Sequence, residues 1–155
     1  MNANRKRMVA VIGAGECDAS TYHRAREVGR LLAERGCVVV TGGLGGVMEA
    51  ASEGARSAGG TVVGVLPTSK PGAANAHVDI AIATGMGDAR NAILANTAEC
   101  FVAVDGSYGT LSEIAFALKR GKRVVSLGSL EIDPQVVAAD SPEEAVRLVL
   151  DVTRR

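Results

Sequence analysis

Short, continuously apolar runs alternate along this chain with longer stretches whose apolar positions recur every three or four residues. Met8 to Ile12 is a compact apolar run that breaks at Gly13-Ala14-Gly15, which predicts a buried strand entering a tight turn. Ser20 is the predicted N-cap of the next helix, in which Tyr22, Ala25, Val28, Leu31 and Leu32 keep helical spacing until Gly36. Val38-Val39-Val40 predicts a second strand, and beyond Thr41-Gly42-Gly43-Leu44-Gly45-Gly46 the positions Val47, Met48, Ala51 and Ala55 mark a second helix closed by Gly59-Gly60. Thr61 to Leu66 reads as a third strand stopped by Pro67.

The second half repeats the pattern. Thr68 to Ala76 reads as a loop by its Pro, Gly, Ser and Asn content and is a candidate lid, and His77 to Ala83 resumes an extended pattern. Asp88 to Asn96 predicts a helix, Cys100 to Val104 a strand, Leu111 to Leu118 an apolar helix stopped at Gly121, and Arg123 to Leu127 a further strand. After a loop containing Pro134, Ser141-Pro142-Glu143-Glu144 combines a cap, a first-turn Pro and early acids, and Val146, Leu148, Val149 and Val152 supply the apolar positions of a last helix. Strands that are apolar throughout, separated by helices, are what a mostly parallel sheet covered on both faces requires. The predicted fold is α/β: one Rossmann-like, doubly wound domain over residues 1–155.

Composition narrows the function. Seventeen basic and seventeen acidic side chains cancel, and aromatic residues make up 3% with no Trp. Such a chain has neither the field that gathers nucleic acid or anionic lipid nor the platforms on which bases stack, so neither partner is expected. No apolar run approaches the roughly 20 residues that span a bilayer. The polar, basic start runs through one strand into Gly-Ala-Gly, so a cytoplasmic protein is expected. Three cysteines, Cys17, Cys37 and Cys100, have no metal-type spacing. With His23 and His77 isolated, no metal site is expected.

In a doubly wound sheet the ligand lies outside the carboxyl ends of the strands, and three of the turns there are glycine-rich. Glycine lets the backbone approach a phosphate, and the following helix offers free N–H groups at its positive end. The first turn, beginning Gly13-Ala14-Gly15, starts like a dinucleotide fingerprint but has Asp18 where a third Gly belongs, and the second strand ends in Thr41 instead of an acid. No GxxxxGK[ST] string occurs, so a nicotinamide or flavin dinucleotide and an ordinary P-loop nucleotidase are both set aside.

The turns Thr41 to Ala50 (TGGLGGVMEA) and Asp105 to Glu113 (DGSYGTLSE), with Met86 and Arg90-Asn91 between them, resemble those of the LOG-type cytokinin-activating phosphoribohydrolases and of the molybdenum cofactor carrier proteins, a superfamily also labelled lysine decarboxylase-like. The resemblance spans about Met8 to Leu127. By resemblance Gly106, Gly109 and Thr110 would cradle the phosphate with Arg90 beside it; together with the glycine-turn positions Gly13, Gly15, Thr41, Gly42, Gly43 and Gly46, and with Met86, Asn91, Ser107 and Tyr108, they make up the expected ligand site. If the chain is an enzyme, Glu113 would act at an N-glycosidic bond and Arg90 would stabilise the phosphorylated sugar or the reaction's charge. Against the hydrolase signature PGGxGTxxE with its upstream Arg-Lys, Asp105 replaces Pro, Ser107 replaces Gly and Asn91 replaces Lys. Those departures weaken the enzyme reading, and the Ala89-Arg90-Asn91 form, the short C-terminal part and the compact length look more like the carrier branch. The expectation is a binding protein for a small phosphorylated ligand, AMP-like or a molybdopterin, with molybdenum cofactor as cargo and no cofactor of its own for chemistry. The alternative is a nucleoside 5′-monophosphate phosphoribohydrolase. The resemblance also implies a homodimer or homotetramer.

Overall fold

The computed structural model describes residues 2–128 and 132–151. Strands β1 (Met8–Gly13), β2 (Val38–Thr41), β3 (Val62–Leu66), β4 (Ile80–Ala83), β5 (Cys100–Val104), β6 (Arg123–Leu127) and β7 (Val137–Ala139) form one sheet in the order β4-β3-β2-β1-β5-β6-β7. Every neighbouring pair is parallel. Around it lie α1 (Ala19–Glu34), α2 (Val47–Ser57), α3 (Arg90–Thr97), α4 (Tyr108–Lys119) and α5 (Pro142–Leu150).

The two faces of the sheet explain the apolar runs. On β1, Val9 and Val11 enter a core shared with α1, α2 and α5, whereas Ala10 and Ile12 enter the opposite core under α3 and α4. A strand buried on both sides cannot alternate apolar with polar residues. Because α1 follows β1 on one face and α4 follows β5 on the other, the turns leaving these neighbouring strands diverge and open a crevice at the carboxyl edge, the usual ligand position in such sheets.

Several boundaries differ from the sequence reading. The N-cap of α1 is Asp18, not Ser20: its carboxylate accepts the Thr21 N–H at 2.8 Å. The predicted helix from Asp88 divides into a 3₁₀ turn, Gly87–Ala89, followed by α3. Helix α4 begins at Tyr108, three residues before the apolar run at Leu111, so Tyr108, Gly109 and Thr110 form its first turn. Of the extended stretch from His77, only Ile80–Ala83 pairs as a strand. Strand β7 went unpredicted, because three residues at a sheet edge leave too short a pattern. The last helix starts as expected, with Ser141 Oγ accepting the Glu144 N–H at 3.1 Å and Pro142 in its first turn, while Val152 lies outside the described residues. Among the described residues no helix is long and apolar enough to cross a membrane, and no group of His, Cys, Asp and Glu could hold a metal ion.

Candidate functional site

Three turns meet at the carboxyl edge of β1, β2 and β5. Those after β1 and β2 are pressed together: a Cβ on Gly46 would lie 2.3 Å from the Ala14 carbonyl oxygen, and one on Gly13 would lie 2.6 Å from Val47. The buried hydroxyl of Thr41 closes the β2 turn by accepting the Gly43 N–H at 3.0 Å. The amides of Leu44, Gly45 and Gly46 find no acceptor among the described residues, a row of donors at the entry to α2.

Arg90, the first residue of α3, lies against this turn. A Cβ on Gly42 would fall 2.2 Å from its Nη1 and 2.6 Å from Met48 Sδ, so only glycine admits the guanidinium there. The arginine is 8% exposed and its Nε is buried without a hydrogen-bond partner. An unpaired buried donor on a charged group is costly, and folded proteins retain such groups mainly where something else supplies the acceptor. Burial pushes the guanidinium pKa down, opposed by the charges of Glu113 and Asp88. Asn91 is buried beside it in sequence.

Glu113 faces the same region from α4. It is 7% exposed, and burial raises its pKa to about 7 against the opposing pull of Arg90. No ion pair among the described residues includes Arg90 or Glu113. A buried cation with a free donor and a carboxyl half protonated near neutrality thus share a desolvated region without neutralising each other, an arrangement suited to an anionic oxygen or to proton transfer.

The turn after β5 is built differently. Asp105 has φ +48° and is the only non-glycine described at positive φ. Its N–H donates to the Leu127 carbonyl at 3.0 Å. Its carboxylate accepts the Thr21 hydroxyl at 2.5 Å and Arg24 Nη2 at 3.0 Å, both from α1. The negative charge of Asp105 is thus turned toward α1 and paired. Thr110 is buried and its Oγ1 accepts the Ser107 N–H at 3.2 Å. Gly106, Ser107, Tyr108 and Leu111 line a hollow of about 300 Å³, with Tyr108 almost fully exposed and nothing within 4 Å of a Cβ on Gly109. Met86, expected at the ligand site, is half exposed, whereas Met48 is buried.

Sequence reading missed three things. The candidate lid is fastened: Asn75 donates to the carbonyls of Gly43 and Leu44. A larger cavity of about 430 Å³, lined by Ser126, Gly128, Ile132, Pro134, Val136 and Ala138 among others, lies beside β6 and β7. The carboxylate of Asp105 anchors its turn, which a loop acid in a sequence does not announce. Burial, then Asp18 and Asp105, push the Cys17 thiol up, which leaves it less ionised, and Cys37 and Cys100 are buried free thiols.

The SLOG cluster4 family model matches residues 6–154, a span that contains all three turns and Arg90. The chain belongs to the SLOG cluster4 family. Within reach of this SLOG cluster4 protein is an uncharacterized protein of Archaeoglobus fulgidus, 52% identical over 89% of this chain and 91% of that one. A probable cytokinin riboside 5′-monophosphate phosphoribohydrolase of Oryza sativa subsp. japonica is 30% identical over 83% of this chain and 60% of its own length. Among solved structures, the molybdenum cofactor binding protein of Rippkaea orientalis superposes with a TM-score of 0.89 at 38% identity, covering 95% of this chain and 97% of that one. The Moco carrier protein of Chlamydomonas reinhardtii gives 0.84 at 38% identity, over 94% and 96%. The doubly wound fold and the place of the SLOG cluster4 chain in the LOG and cofactor-carrier superfamily follow from these likenesses.

Proposed function

We propose that this protein binds a small phosphorylated, nucleotide-like ligand without cleaving it, with molybdenum cofactor as one such cargo. The observation that carries the reading is the buried Arg90 guanidinium with its unpartnered Nε, set against Gly42 beside a row of free turn amides. An anionic oxygen there would restore the missing acceptor, and each charge-assisted bond would contribute about 1.5–3 kcal/mol. The amides of Gly106, Tyr108 and Gly109, with the hydroxyls of Ser107 and Thr110, offer a second set of donors at the entry to α4, where the helix dipole adds about 0.3–1 kcal/mol. The likeness to proteins that carry or bind molybdenum cofactor over nearly their whole length supports this choice of cargo.

One observation favours the second reading, a phosphoribohydrolase. Glu113 has a pKa near 7 in a buried position, which suits a general acid or base, and such a group contributes about 10²–10⁴ in rate. The β5 turn argues the other way. Proline holds φ near −65° and has no N–H, whereas Asp105 sits at +48° and donates to Leu127, so a PGG-type turn cannot follow the same path.

Incubation with AMP and cytokinin monophosphates, followed by chromatography for free base, separates the two. Saturable binding with no base released is the expected result. Turnover that disappears in Glu113→Gln would sink the carrier reading. A homodimer or homotetramer is part of the proposal, supported by Ile80 and Ile82, which stand exposed on edge strand β4, and light scattering checks it.

A further inference from the structure

Asn75 lies in the connection between β3 and β4, 32 residues beyond the turn it touches. Its backbone N–H donates to the Gly43 carbonyl at 2.9 Å, and its side-chain Nδ2 donates to the Gly43 carbonyl at 3.3 Å and the Leu44 carbonyl at 2.9 Å. Its Oδ1 accepts the His77 N–H at 3.0 Å, which fixes the side-chain amide with its nitrogen toward the turn.

A planar trans peptide points its C=O and its N–H in opposite directions, and no peptide described here is cis. Holding the Gly43 carbonyl therefore aims the Leu44 N–H to the other side, and holding the Leu44 carbonyl does the same for the Gly45 N–H. Both of those amides lack an acceptor among the described residues. Successive N–H groups directed to one side form an anion-binding concavity. The same hydrogen bonds engage two carbonyl oxygens that would otherwise be free to repel an anion. Independently, the partnerless Nε of buried Arg90 marks the adjoining Gly42 as a place lacking an acceptor.

From this geometry we infer that Asn75 is a positioning residue of the anion site, aiming the Leu44 and Gly45 amides as a donor pair for a phosphate-type oxyanion. The connection from Pro67 to Asp79 serves as the clasp of the β2 turn. This rests on the phosphate reading above.

The test follows ¹H–¹⁵N spectra of the full chain titrated with inorganic phosphate and with AMP, alongside affinities from calorimetry. In the wild type both ligands shift the Leu44 and Gly45 amides. Asn75→Ala keeps the backbone bond to Gly43 but frees the Leu44 carbonyl. Gly45 then loses its response, Leu44 keeps part of it, Tyr108 and Gly109 still respond, and AMP binds about tenfold more weakly. Asn75→Leu is close in size and uncharged, loses the same side-chain donors, gives the same loss, and stands in if the alanine variant does not fold. Affinity within twofold of wild type in either folded variant overturns the inference. So does a wild type in which ligand moves Tyr108 and Gly109 but leaves Leu44 and Gly45 unshifted, an outcome that spares the phosphate reading. If neither turn responds in the wild type, the phosphate reading fails and the inference falls with it.

Discussion

The turns after β2 and β5 both deliver the chain into the N-terminus of a helix at the same edge of the sheet, yet they are held by opposite means. The β2 turn is wedged: Gly46 meets the backbone of the β1 turn, Gly42 meets Arg90, and Asn75 grips its carbonyls. The β5 turn is hooked from one side by the carboxylate of Asp105 on Thr21 and Arg24, and its outer face at Tyr108 and Gly109 is open. A wedged turn gives a preorganised donor set, whereas an open turn leaves room for the ligand itself. Steric and polar substitutions should therefore act unequally at the two places.

Gly46→Ala tests the wedge most severely. The residue combines φ +61° with a Cβ position 2.3 Å from a backbone oxygen that has no side-chain freedom to move away. Left-handed strain and overpacking together are expected to cost about 4 kcal/mol, read from urea denaturation. A loss below about 1 kcal/mol would mean the β1 and β2 turns separate easily.

Asp105→Pro breaks the hook. It removes the N–H donated to Leu127, the contacts to Thr21 and Arg24, and a φ that proline cannot reach, at an expected cost of about 3 kcal/mol. Asp105→Asn tolerates the left-handed backbone and should cost much less. Equal effects from the two variants would show that backbone conformation is not what Asp105 supplies.

Between the turns, Glu113 offers a pH test. Its folded pKa of about 7 lies above its ordinary value of 4.5, so the folded state holds the proton more tightly than the unfolded chain. That contribution is complete below the unfolded pKa and is lost as pH rises through about 7, by at most about 3 kcal/mol. Glu113→Gln, which has no charge to bury, should match wild type near pH 4.5 and exceed it at pH 8 in denaturation midpoints. A gap that does not widen with pH would show that the carboxylate is solvated.

Arg90→Met should separate stability from function. Methionine fills the space without an unpartnered donor, so the melting temperature should hold or rise while AMP affinity falls at least about tenfold. A variant that both melts lower and binds normally would make Arg90 a packing residue.

The two turns also differ in how far the sequence could disclose them. Their glycines, and the apolar strands before them, were legible because positive φ and two-sided burial restrict residue type at the position itself. Five of the seven strands could be read this way; edge strand β4 was legible only from its extended, turn-bounded pattern. Asn75 and Asp105 were not legible as anchors, since what each does depends on partners far along the chain, Gly43 and Leu44 for one and Thr21 and Arg24 for the other. The same holds for Arg90 and Glu113: their types suggested chemistry, but the burial that leaves one with a free donor and raises the pKa of the other belongs to the packed structure. The start of α4 at Tyr108 was not legible, because Gly109, a poor helix former, lies in its first turn and the apolar pattern opens only at Leu111.

That glycine gives the smallest effect and the finest discrimination. A Cβ on Gly109 would meet nothing within 4 Å, and the residue lies inside α4. On stability alone, Gly109→Ala should therefore gain about 0.5–1 kcal/mol, because alanine loses less backbone freedom in a helix. If a phosphate oxygen must approach this amide closely, the same methyl group stands in its path, and AMP affinity should fall even as the melting temperature rises. A substitution that improves the fold and damages binding would mark Gly109 as retained for the ligand. Improved stability with unchanged affinity would move the phosphate off the β5 turn and onto the wedged amides at Leu44 and Gly45.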